Sequence, residues 1–97
     1  MHVYGTVGRF KIKPENREKL RETLSRQRNA DIPGFRMSWL MFPENRQDEG
    51  VLVVQFEDRD SYWKNANDPE QDKRYREFSQ HFESEPEWSD GDWIESS

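Results

Sequence analysis

Apolar residues in this chain alternate, then recur at helical spacing, alternate twice more, return to helical spacing, and alternate again near the end. Val3 to Ile12 reads as a strand, Pro14 to Arg28 as a helix, and Phe35 to Phe42 and Val51 to Phe56 as two further strands. Tyr62 to Phe82 reads as a helix with a Pro break, and Trp88 to Ile94 as a short last strand. That order, βαββαβ, predicts a ferredoxin-like α+β fold: an antiparallel sheet with helices on one face only. The uncovered face then needs a partner.

A chain of 97 residues allows a single domain, spanning 1–97. Leu, Ile, Val and Phe number only 18, a content that borders on disorder. The apolar residues nevertheless fall in periodic blocks, four Trp and three Tyr are added to them, and the net charge is a modest −5. The expectation is a folded domain with a thin core. Burying a second surface against another copy would remedy that thinness, so a homodimer is expected.

No Cys is present, which excludes disulfides and thiolate metal sites. No stretch approaches the ~20 apolar residues of a bilayer-spanning helix. Met1 to Gly5 has neither the basic start nor the apolar middle of a signal peptide. The plain expectation is a soluble cytoplasmic protein with no membrane partner. Residues 1–36 carry nine Lys or Arg against four acids, and residues 37–97 six against sixteen. Phosphate affinity comes from clustered cations, so no nucleic-acid partner is expected. The acidic stretch from Glu83 to Ser97 is expected to dock near the basic N-terminal half, its own or a partner's.

Several local signals refine the elements. Gly5 and Gly8 interrupt the first strand, which marks tight packing or room for a ligand. Pro14 and Glu15 suit a helix start. Leu20 and Leu24 form a narrow apolar stripe on that helix. In the second strand Phe35, Met37, Trp39 and Met41 occupy one face, and the strand's far end reads as buried on both. The third strand reads as central and covered on both sides. Asp58 is a candidate cap for the helix holding Tyr62 and Trp63. Asp68, Pro69 and Gln71 have the spacing of a capping box that restarts it. Tyr75, Phe78 and Phe82 then recur on one helical face.

Only two His exist, His2 and His81, without the spacing of a metal site, so neither a metal nor a cofactor is expected. There is no Gly-rich phosphate loop and no nucleophile elbow.

Taken in order, the Phe10 to Pro14 junction, Pro33-Gly34-Phe35, the apolar third strand, Tyr62-Trp63 before Asp68-Pro69, and the tail Pro86-Glu87-Trp88-Ser89-Asp90-Gly91-Asp92-Trp93 resemble the antibiotic-biosynthesis-monooxygenase family. That family belongs to the dimeric α+β barrel superfamily. The resemblance implies a homodimer whose sheets pack face to face, with a pocket between each sheet and its helices. Some members oxidise polycyclic aromatic or quinol substrates with dioxygen and no cofactor. Others cleave haem, using an Asn on the first strand and a His on the broken helix. Here Thr6 or Gly8 stands where that Asn is expected, and Tyr75 falls near the place of the His, so haem cleavage is not expected.

The resemblance thus implies a cofactor-independent monooxygenase acting on an aromatic or quinol-like small molecule. Such chemistry needs a dry aromatic pocket with polar groups around a developing oxyanion. Trp39, Trp63 and Phe78 are candidate substrate-binding residues, and Arg36, Asn65, Tyr75 and His81 are candidate catalytic ones. The bland readings are that the aromatics are core and that His81 is solvated or ion-paired. Trp88 and Trp93 read as interface or tail anchors. The alternative function is a non-catalytic small-molecule-binding or structural homodimer.

Overall fold

The computed structural model describes residues 2–28 and 31–96. Strand β1 (His2–Lys11) leads through a 3-10 turn at Pro14–Asn16 into α1 (Arg17–Gln27). Strands β2 (Phe35–Met41) and β3 (Glu49–Phe56) form a hairpin, α2 (Arg59–Ala66) and α3 (Pro69–Ser79) follow, and β4 (Glu87–Ile94) is the last element. The strands make one antiparallel sheet in the order β2-β3-β1-β4. The expected ferredoxin-like α+β fold is the fold observed.

Short-range chemistry sets the element boundaries. Asp58 Oδ1 accepts the Ser61 backbone N–H at 2.8 Å, and Asp68 Oδ1 accepts that of Glu70 at 2.9 Å. Both acids satisfy helix N–H groups that have no partner within the helix. The backbone hydrogen bond from Ser61 also lowers the Asp58 carboxyl pKa from its ordinary value. Pro69 opens α3, where its missing N–H costs nothing. The capping box is not reciprocal, because the Gln71 side chain accepts from Arg74 Nε at 3.0 Å instead. Gly34 turns the chain into β2 with φ of 79°, a backbone conformation that L side chains rarely adopt.

Cross-strand register sorts the side chains onto two faces. On the helix side run Leu40, Leu52, Gly8 and Trp88 in one row, and Ser38, Val54, Thr6 and Asp90 in the next. Phe10, Ile12 and Leu52 from this side meet Leu20 of α1 and Phe78 of α3 in the buried core. The Phe10 ring stacks on Phe82 at 4.1 Å between centroids and meets Phe78 edge-on at 6.0 Å. The glycine at position 8 leaves room for protein: the Trp88 indole lies where a Cβ would stand. Trp88 is therefore a lid on the sheet's inner face as much as a tail anchor.

The opposite face carries Met41, Val51 and Arg9 in one row and Trp39, Val53 and Val7 in another. Met37, Trp39 and Met41 are exposed, Trp39 to 65 %. The expected burial of β2 on both faces is not met within the subunit, because β2 is the sheet's edge. The expected single face is broken as well. The β2–β3 register shifts between Phe35 and Met37, leaving Arg36 at a bulge. Phe35 is thereby turned to the helix side, edge-on to Phe56 at 5.7 Å.

The acidic tail does dock on the N-terminal half, through the β1–β4 backbone ladder. Among the described residues no ion pair joins Glu83 to Ser96 to the basic first third. Hydrogen-bonded pairing, not charge attraction, seats it.

Candidate active-site cleft

Between α1, α3 and the β2–β3 half of the sheet lies a cleft of about 960 Å³. Its floor is apolar, made by Leu40, Leu52, Val54 and Phe56 of the sheet with Phe35 beside them. Leu24 of α1 and Phe78 of α3 form facing walls. Polar residues of the α1 side, from Glu18 to Arg28, line one rim, and a second polar wall comes from one stripe of α3. Gln71, Arg74, Tyr75 and Phe78 are spaced i, i+3, i+4, i+7 and so share a face; all four line the cleft, with Asn65 from the end of α2 beside them.

Arg74 organises this wall. Its Nε donates to Gln71 Oε1 at 3.0 Å, and its Nη2 makes a long 3.5 Å bond to Asn65 Oδ1. Gln27 of α1 donates to the Arg74 carbonyl at 3.1 Å, tying the two helices across the cleft. Tyr75 is half-buried. Burial raises its phenol pKa above the ordinary value, a hydrogen bond from Trp88 offsets part of this, and Glu85 adds to the rise. The hydroxyl consequently keeps its proton at neutral pH and is a donor, not a base.

The candidates from the sequence divide. Asn65, Tyr75 and Phe78 come together in the cleft, and Trp39 borders it at the β2 edge. Arg36, Trp63 and His81 are not among the residues that line it. Arg36 sits exposed at the bulge. Trp63 packs edge-on to Tyr62 at 5.0 Å, and its indole N–H is buried with no acceptor among the described residues. His81 Nε2 lies 3.2 Å from Thr23 Oγ1. Thr23 gives its one hydroxyl proton to the Lys19 carbonyl and also accepts from Arg26, so His81 donates through Nε2–H. The ring fastens the end of α3 to α1. His2 belongs to β1, and its side chain lies outside the described residues.

Sequence reasoning missed two groups. Arg74 and Gln71 were legible in principle, since they share the helical stripe of Tyr75 and Phe78. The second group is a polar cluster between α2 and β4 that no spacing announces. There Tyr62 donates to Asp90 Oδ1 at 3.0 Å, and Thr6 Oγ1 donates to the Ser89 carbonyl at 3.2 Å. Burial, together with the hydrogen bond to Asp90 and its negative charge, raises the Tyr62 pKa to about 12.

This raised value has a signed consequence. The unfolded phenol loses its proton near pH 10, while the folded one keeps it to about 12. The stabilisation is complete below pH 10 and is lost as pH rises through that window. Tyr62→Phe should therefore flatten the fall in stability between pH 9.5 and 11.5 relative to the native chain, as read by urea unfolding at stepped pH. Parallel curves for the two proteins would dismiss the effect.

The profile of the antibiotic biosynthesis monooxygenase family matches residues 3–77. The chain belongs to that family. Solved structures agree on the fold. A candidate antibiotic biosynthesis monooxygenase from Bordetella bronchiseptica superposes with a TM-score of 0.82 at 11% identity, covering 97% of this chain and 99% of the other. A conserved protein from Methanosarcina mazei Go1 gives 0.78 at 12% identity, with 94% and 92% covered. SnoaB, a cofactor-independent oxygenase from Streptomyces nogalater, gives 0.69 at 15% identity, with 100% and 96% covered. At such identities the likeness is one of fold. No curated protein matches the chain significantly. No helix among the described residues is long and apolar enough to cross a membrane.

Proposed function

We propose that this family member is a cofactor-independent monooxygenase acting on an aromatic or quinol-like small molecule, and that it works as a homodimer joined through the open sheet face. The observation that carries the activity is the cleft: an apolar, aromatic floor faced by a protonated phenol, an amide and a guanidinium. In such a site the floor holds a planar ring, and the polar wall faces its oxygen. Hydrogen bonds aimed at an oxyanion in a dry pocket favour the deprotonated substrate.

That anion passes one electron to dioxygen. Recombination of the substrate radical with superoxide forms a carbon-bound hydroperoxide, and loss of water leaves one oxygen atom on the substrate. All electrons come from the substrate, so the balance needs no external reductant. Tyr75 and Asn65 are the proposed oxyanion donors, and Phe78, with Trp39 at the edge, the ring-contacting residues.

The dimer rests on the unpartnered row of Met37, Trp39 and Met41 beside Val7 and Val53. Contiguous exposed apolar surface of this kind marks an interface. A second reading, a non-catalytic small-molecule-binding homodimer, draws on the largely apolar floor, with no imidazole among the described residues that line the cleft.

The test is oxygen uptake with a naphthohydroquinone in the presence of a chelator, corrected for spontaneous oxidation. Turnover is expected, and Tyr75→Phe should lower it roughly 100-fold, as losing one oxyanion donor does. Saturable binding with no uptake above background would favour the binding module instead.

A further inference from the structure

Arg74 has more hydrogen-bonding capacity than the protein uses. A guanidinium carries five N–H donors. One is taken by Gln71 and one by Asn65, both through neutral amide oxygens. Three remain. Among the described residues no carboxylate stands within salt-bridge distance of it, although the surrounding helices are rich in acids. The acids nearest in the chain are engaged elsewhere, Asp72 with Arg76 and Glu70 with Lys73. Glu77 pairs with Arg26 across the helices.

The group is also held still. The two amides fix the plane of the guanidinium, and the Gln27 bond to its own carbonyl fixes the backbone that carries it. A half-buried cation in that state stands on the polar wall above an apolar floor. Glu18, Arg21, Glu22 and Arg28 line the same cleft from the α1 side, but all four are exposed, and Glu18 is paired with Arg21. The one preorganised charge on the α3 wall is positive.

We propose that the cleft takes an aromatic acid, its ring on the Leu52, Val54 and Phe56 floor and its carboxylate on the free N–H groups of Arg74. A planar carboxylate matches the geometry of a guanidinium fork, and the charge-assisted pair is the strong kind of hydrogen bond. Arg74 is then a specificity-determining residue: a neutral analogue of the same shape leaves the guanidinium half-desolvated and unpaired. This deepens the proposed function, resting on the same cleft as an aromatic site, and adds the charge its ligand carries.

The test uses 2-naphthoate and 2-naphthamide, which share size and shape and differ in charge. Binding is measured by isothermal titration at neutral pH on the full chain. Naphthoate is expected to bind at least tenfold more tightly than naphthamide. Arg74→Gln should bring the ratio of the two affinities close to one, and Arg74→Lys should restore part of the preference, as a point charge without the fork. Equal affinity of the native protein for the two ligands would overturn the proposal and leave the aromatic cleft standing. Equal loss of both ligands in a folded Arg74→Gln would also overturn it, since that would make Arg74 a wall support. Binding of neither ligand would remove the aromatic reading together with this one. The comparison within the native protein stands even if a variant fails to fold.

Discussion

Phe10→Ala is expected to destabilise the protein by about 3–5 kcal/mol, the cost of deleting a large aromatic from a packed core. The position justifies the upper part of that range. The ring is 3 % exposed, stacked on Phe82 and edge-on to Phe78, and it fills the space above Gly50. The core behind it is small, and few side chains are free to move into the hole. A domain of this size has roughly 5–15 kcal/mol in total. The melting temperature should fall by at least roughly 12 °C at fixed protein concentration, on the usual scale of 4–8 °C per kcal/mol. Phe10→Leu, which keeps most of the volume, should cost less than half as much. A urea-unfolding free energy for Phe10→Ala within about 1 kcal/mol of native would show that the cluster relaxes freely and that the stacking carries little.

The second large effect is expected at the open face. Trp39→Asp should raise the dimer dissociation constant by about 30-fold or more, because buried aromatic anchors commonly contribute about 2 kcal/mol or more to an interface. A carboxylate at that place would in addition lose its hydration against Val53 and Val7 of the sheet. Sedimentation velocity across a dilution series reads the change, and native mass spectrometry confirms the masses. A monomeric native protein would overturn the proposed assembly. A dimeric variant of unchanged affinity would show that the contact lies elsewhere. Because Trp39 also borders the cleft, the same variant tests whether assembly and ligand binding share that edge.

The two effects differ in how they could be foreseen. Phe10 sits on an alternating strand, and Phe78 and Phe82 on a helical stripe, so their meeting follows from the fold class once the segment order is read. The Asp58 and Asp68 caps, the break at Pro69 and the mostly exposed α1 were equally legible, since each depends on neighbours within a turn of helix; the stripe expected at Leu20 and Leu24 buries Leu20 with Thr23, and Leu24 only in part. The cleft was legible in part. Tyr75 and Phe78 stood out by their aromatic rings, whereas Gln71 and Arg74 share their stripe yet look like ordinary solvated residues of a polar helix. What sets Arg74 apart is that no carboxylate among the described residues stands within salt-bridge distance of it, and that is a property of space.

Segment order, the ferredoxin-like fold class and the helix starts after Asp58 and Asp68 were determined by the sequence alone. They arise from local conformational preference and from periodicity, which act over a few residues. Tertiary structure alone decided the rest. It put the bulge at Arg36, which moved Phe35 from the open face to the cleft. It set His81 against Thr23 outside the cleft and joined Tyr62 to Asp90, and it left Arg74 without a counter-ion among the described residues. These depend on register and on distances between residues far apart in the chain, where a shift of one residue sends a side chain to the opposite face of the sheet.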